Sequence, residues 1–185
     1  MRKIIYLLLT VSFISCQKND LKSEFNCKSS ASITNTKEVR DIMKKFKIKF
    51  PSNWKTQLYY DEFQSEIYSA DTTKSLKDTY ILDISWHQGE LNLNKSFDQN
   101  VKDTLAIKEK LSPVKTKFIK FKEKPSYFNL SKGKSGNHTY HFLQVYVKTG
   151  VDEYFTFTTK VYGDENVDDR LCEAIQLSNE IVFIE

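Results

Sequence analysis

Three histidines supply most of the general-base chemistry open to this 185-residue chain: His87, His138 and His141. His138 and His141 lie three apart in HTYHFLQVYVK, which alternates as a strand does. Odd offsets on a strand point to opposite faces, so the two could share a metal only across a bulge. Zinc needs three or four converging ligands, and ordinary surface or half-buried histidines are the simpler expectation than a site of His87, His141 and an acid. Gly133-Lys134-Ser135 copies the end of a phosphate-binding loop. The full pattern wants a glycine five residues before Gly133, and Phe128 stands there. SKGKSGN is instead expected to turn between strands. Asp168-Asp169 is a carboxylate pair at what reads as a helix start, where acids suit the macrodipole. No Gly-x-Ser-x-Gly elbow occurs. The chain is therefore not expected to be an enzyme, and no metal or cofactor is called for. A hydrolase would need a nucleophile and a base gathered at His87 or His141.

The cysteines are Cys16, Cys27 and Cys172. Cys16 follows Met1-Arg2-Lys3 and an uncharged apolar run, IIYLLLTVSFIS. A basic start and a short apolar run make a secretory signal peptide, and the run is well short of the roughly 20 residues of a membrane-spanning helix. An ordinary signal closes on small residues at its cleavage site. Here Phe13-Ile14-Ser15-Cys16 resembles the lipobox of bacterial lipoproteins, with Phe13 where leucine is usual. That resemblance implies cleavage before Cys16 and lipid attachment to it. A single acyl chain binds a membrane only marginally and two or more signals hold firmly, so a triacylated cysteine is a sufficient anchor. Gln17-Lys18-Asn19-Asp20 reads either as the start of a polar tether or as the short export signal that it resembles, found after the acylated cysteine in Bacteroidota surface lipoproteins. The expected location is the bacterial outer membrane, lipid-anchored and facing periplasm or surface. Cys27 and Cys172 remain. In an oxidising compartment they read as a disulfide or as two free thiols.

Loss of residues 1–15 removes Arg2, Lys3 and no acid, leaving 26 basic against 24 acidic residues and a formal charge of +2. That balance gives no nucleic-acid footprint. Residues 16–36 are expected to be the acylated cysteine and a flexible polar tether, and residues 37–185 a single α+β domain large enough for its own core. Within it, Asn35 and Glu38 suggest a capped helix with Val39, Ile42, Met43 and Phe46 as its apolar stripe. KFKIKF then alternates, Phe46, Ile48 and Phe50 on one face, until Pro51 ends the strand. QSEIYSA (64–70) is a modest strand, and TYILDISWH (79–87) a stronger one facing the core through Tyr80, Leu82, Ile84 and Trp86. Ser96 and Gln99 suggest a second capped helix, with Phe97, Val101, Leu105 and Ile107 or Lys108 on its buried side.

KTKFIKFKEK (115–124) carries lysines of both parities, and a bulge near Phe118 would turn all of them outward. Interleaved lysines and aromatics could meet anionic headgroups; the favoured reading is an edge strand whose lysines block aggregation. Residues 138–148 and 153–162 form a hairpin around Gly150, and a final helix runs from Val167 through Leu171, Ile175 and Ser178. Such hairpins predict a mostly antiparallel sheet packed by helices.

FKIKFPSNW, a strand pair before an amphipathic helix, the long aromatic hairpin and the closing helix resemble the PsbP-like fold over residues 46 to about 182. The resemblance implies an α/β/α sandwich, its central sheet flanked by helices, and a binding or assembly role with no catalytic residue to carry over. The expected partners are the bilayer, through acylated Cys16, and an unidentified envelope protein; no nucleic acid is expected. Thirteen Phe and ten Tyr predict an exposed apolar patch for that protein. The alternative is a small-molecule or glycan receptor with an aromatic cavity between sheet and helix.

Overall fold

The structure, a computed structural model, describes residues 20–28 and 33–184. Cys16, the signal segment and residues 17–19 of the possible export signal lie outside them. The described elements are α1 (Leu21–Glu24), β1 (Thr36–Arg40), β2 (Phe46–Pro51), β3 (Lys55–Tyr60), β4 (Gln64–Ala70), β5 (Tyr80–Gln88), α2 (Lys95–Lys108), β6 (Ser112–Phe121), β7 (Lys124–Ser135), β8 (His138–Lys148), β9 (Glu153–Tyr162), α3 (Val167–Ser178) and β10 (Val182–Phe183). A seven-stranded sheet runs β3-β4-β5-β9-β8-β7-β6, and a smaller one β1-β2-β10. Every pairing is antiparallel.

The period-2 segments form the strands they suggest. Phe46, Ile48 and Phe50 are buried together, as are Tyr80, Leu82, Ile84 and Trp86 of β5 and Phe155, Phe157 and Val161 of β9. These side chains and Leu171, Ala174, Ile175 and Leu177 of α3 form the main core. Burying each large apolar side chain is worth about 1.5–3 kcal/mol. A second cluster joins Val101 and Leu105 of α2 to Tyr127, Tyr140, Phe142 and Leu111. Tyr127 belongs to this cluster while its neighbour Phe128 belongs to the main core, so the sheet is covered on both faces. α3 lies on one and α2 on the other.

Several expectations are corrected. Residues 36–40 are strand β1, paired with residues 47–51, not the helix expected from Asn35 and Glu38. The apolar residues at 39, 42, 43 and 46 belong instead to two strands and the reversal between them. There the Asp41 carboxylate accepts the Phe46 amide at 2.7 Å and Lys44 adopts φ 61°. Glu38 pairs with Lys47 at 3.1 Å. Helix α2 starts a residue earlier than Ser96, because Asn94 caps it by accepting the Phe97 amide. Gln99 donates to Asp103 instead of closing a capping box, and Ile107 is exposed. The irregularity of β6 falls between Pro113 and Lys115, not at Phe118. SKGKSGN is mostly strand: β7 continues through Ser135, and only Gly136 (φ 58°) and Asn137 turn. Gly133 is needed for close approach, since a Cβ there would lie 2.5 Å from Leu111 Cδ2.

Residues 20–28, expected to be tether, are folded onto the domain. Asp20 caps α1 through the Ser23 amide, Leu21 is buried, and Phe25 packs on Phe128 with ring centres 5.4 Å apart. The Glu24 carboxylate pairs with Lys117 at 2.6 Å and Lys115 at 3.3 Å. That explains the lysine parity: Lys115 and Lys117 keep the inward side of Ile119 and Phe121 because an acid meets them there.

Candidate functional site

Cys27 and Cys172 are joined, with Cα atoms 5.4 Å apart, tying the segment after α1 to α3. The histidines are dispersed. His87, on β5, stacks on Tyr154 with ring centres 4.8 Å apart and bonds the Thr156 hydroxyl at 2.9 Å. Burial pushes His87 down to about 4. His141, on β8, meets Asp164 at 3.2 Å. Hydrogen bonds from Thr139, Lys132 and His141 hold that carboxyl at about 2, and burial lowers His141. His141 opposes Val161, which opposes Tyr80, so it lies about seven residues, roughly 23 Å, from His87 along the sheet. Among the described residues no group of three or more His, Cys, Asp or Glu gathers to hold a metal. His87 and Thr156 resemble a base and hydroxyl in contact, but Thr156 is buried and an imidazole titrating near 4 is a weak base at neutral pH.

Two surface features stand out. The first is a trough of about 450 Å³ between α2 and the sheet. Strands β5, β9 and β8 turn their second faces into it, so its floor carries Asp83, Lys160, Phe142 and Gln144, and its wall Phe97 and Asn100 of α2. Phe97 stands edge-on to Tyr127 and Tyr146, at 5.5 and 5.0 Å. Tyr127 donates to Asp98 at 2.7 Å, and Asp98 also pairs with Lys102; these contacts fix α2 over the sheet. Asp83 is pushed up to about 6, by burial first and the Glu66 charge second. Lys160 lies 5.3 Å from the Tyr68 ring. Aromatic rings, amides, threonine hydroxyls, carboxylates and one lysine line it, the mix of apolar walls and placed polar groups of a small-molecule pocket. An aromatic cavity between sheet and helix was expected of a receptor, but the residues that line this trough were not singled out as such in the sequence. Its signal was β8, where Tyr140, Phe142 and Tyr146 sit opposite Leu143, Val145 and Val147: a strand apolar on both faces needs a layer over each.

The second surface is the β3–β4 hairpin. Leu58, Tyr59, Tyr60 and Phe63 are 39%, 50%, 65% and 57% exposed. Two hydrogen bonds close the turn: the Asp61 carboxylate accepts the Phe63 amide at 2.7 Å, and the Asp61 amide donates to the Gln64 carbonyl. Exposed apolar side chains gather on this edge hairpin, with Leu58 and Tyr60 on one face of β3 and Tyr59 on the other, so they do not make one contiguous patch. KTKFIKFKEK lies largely on the opposite edge, β6.

No family model and no curated protein matches the chain. Solved structures do. The solution structure of cyanobacterial PsbP (CyanoP) from Synechocystis sp. PCC 6803 superposes with a TM-score of 0.62 at 10% identity, over 86% of this chain and 99% of that one. The fold is PsbP-like. The Ran-binding protein Mog1p of Saccharomyces cerevisiae matches with a TM-score of 0.52 at 9% identity, over 82% of this chain and 96% of that one. A Bacteroides thetaiotaomicron protein matches with a TM-score of 0.50 at 16% identity, over 82% and 49%. At these identities the likeness concerns the fold. Among the described residues no helix of this PsbP-like domain is long and apolar enough to cross a membrane.

Proposed function

We propose that the chain is an envelope lipoprotein, held to the outer membrane by acylated Cys16, whose PsbP-like domain is non-catalytic and docks a protein partner in an envelope complex. We read its layering as the α/β/α sandwich of that fold. One observation carries the docking: β3 is an unpaired edge of the seven-stranded sheet whose hairpin exposes Leu58, Tyr59, Tyr60 and Phe63, and an exposed edge rich in apolar side chains is a ready template for pairing. The dispersal of the histidines and the weak basicity of His87 support a binding role over hydrolysis. The aromatic trough favours a second reading, a receptor for a small polar molecule or glycan.

The test is native electrophoresis of mildly solubilised envelopes from cells making the full chain or a Tyr60→Ser/Phe63→Ser variant. The wild-type chain should run in a larger assembly, and the variant should leave it while remaining folded by circular dichroism. Co-migration of the two would sink the docking reading. A Cys16→Ala chain that still partitions with membranes would sink the anchor.

A further inference from the structure

We infer that the partner of the β3 edge is a second copy of this chain, paired antiparallel through β3 with Leu58 on the two-fold axis. This rests on the docking reading of the hairpin and names its occupant. The two edges of the seven-stranded sheet differ in charge. β6 carries Lys115, Lys117 and Lys120, with Lys122 next in sequence, and lysines on an edge oppose pairing with another strand. β3 carries one lysine, Lys55, at its start, and Asp61-Glu62 follow its end. Antiparallel self-pairing brings the basic end of each copy to the acidic end of the other. Parallel pairing would set Lys55 against Lys55.

The register follows from the backbone. β3 already pairs with β4 on one side, so alternate residues direct their N–H and C=O groups outward. Two identical edges offer the same alternate set, and opposed residues must therefore share parity. Of the registers near the strand centre, the one with Leu58 opposite Leu58 also places Lys55 opposite Asp61, twice. It sets Gln57 opposite Tyr59 and Thr56 opposite Tyr60. Shifting so that Lys55 opposes Tyr59 or Phe63 loses both charge pairs. The result is a closed, isologous dimer with one continuous sheet, and its outer edges are the lysine-bearing β6 strands.

The experiment is disulfide trapping in membranes from cells making the full-length chain, read on non-reducing gels after mild oxidation. Opposed residues on an antiparallel pair have Cα atoms about 4.5–5.5 Å apart, within disulfide reach. Leu58→Cys should give a covalent dimer. Tyr60→Cys should give at least tenfold less, although Tyr60 is the more exposed residue, because its two copies sit four residues apart along the strand, at roughly 13 Å. Lys55→Glu should weaken trapping at position 58, and adding Asp61→Lys should restore it. Equal or greater trapping at position 60 overturns the register and the proposal. Trapping at neither position overturns self-pairing. A benzophenone amino acid in place of Tyr60, photolysed in intact cells, then separates the two readings. A cross-link to a different protein leaves the docking reading standing without self-pairing, and no cross-link overturns both.

Discussion

Asp83 and His87 lie four residues apart on the same face of β5 and answer acid with opposite signs. Asp83 titrates near 6 when folded, against about 3.9 in an unfolded chain, so folding favours its protonated form. That contribution is complete below about pH 4 and is lost as pH rises through 6. His87 titrates near 4 when folded, against about 6.5 unfolded. Folding favours its neutral form, and that contribution is present above 6.5 and lost as pH falls through 4. The two offset each other between pH 4 and 6. Urea titrations across pH 4–8 should therefore show Asp83→Asn losing stability towards acid more steeply than wild type, and gaining up to about 3 kcal/mol above pH 7. His87→Gln should show the reverse, a flatter acid limb. Parallel curves for all three proteins would refute the assignment. The parity of YILDISWHQ puts Asp83 and His87 on the face away from Leu82 and Ile84, so that much was legible. Their half-buried state was not: it depends on β9 and α2, contributed by distant parts of the chain.

At the level of elements, α3 is held by a side chain that sequence reasoning passed over. Arg170 is buried, and its guanidinium donates to the carbonyls of Thr79, Tyr162 and Glu165 at 3.0, 3.0 and 2.6 Å. It joins the start of the helix to the ends of β5 and β9. Arg170→Met keeps the aliphatic stem and strips those carbonyls of their donor. The expected loss is about 3 kcal/mol by chemical denaturation, with amide exchange rising first in α3; a loss under about 1 kcal/mol would show that water replaces the guanidinium.

The β8–β9 hairpin and α3 were readable because short-range alternation and helical period specify them. Residues 36–46 misled because spacings of three and four also arise when two strands flank a tight reversal. What decides between the two is β2, which pairs with β1 on one side and takes Val182 and Phe183 of β10 on the other. A contact between residues 47 and 182 cannot be read from either segment alone.

For the whole molecule, the order of elements was enough to reach the PsbP-like fold, because hairpin follows hairpin from β3 to β5 and from β6 to β9, while β5–β9 and β2–β10 join distant segments. Cover on both faces was implied by the resemblance to an α/β/α sandwich; in the residues themselves the second cover showed as aromatics on both parities of β8. The cysteines act at this scale too. Cys27 and Cys172 are 145 residues apart, and in the chain-entropy treatment a cross-link over so long a loop is worth up to about 5 kcal/mol. Cys172→Ala should lower the melting temperature and open residues 20–28 to protease before the rest of the domain. A variant that melts with wild type and keeps that segment protected would show that Leu21 and Glu24 suffice.

The clamp on residues 20–28 also sets a distance. With an acyl chain on Cys16, four peptide steps reach Asp20, a span of at most about 14 Å. On the proposed anchor, the corner of the domain formed by α1, α3 and β6 stays close to the bilayer. The β3 edge lies six strand spacings across the sheet, roughly 29 Å away, free to sweep an arc around that mooring. Reduce the cross-link and free α1, and the line pays out from four residues to the nineteen between Cys16 and Asn35, a limit of about 65 Å. In the proposed lipid-anchored chain, the bond between Cys27 and Cys172 then governs reach, setting how far from the bilayer the domain extends.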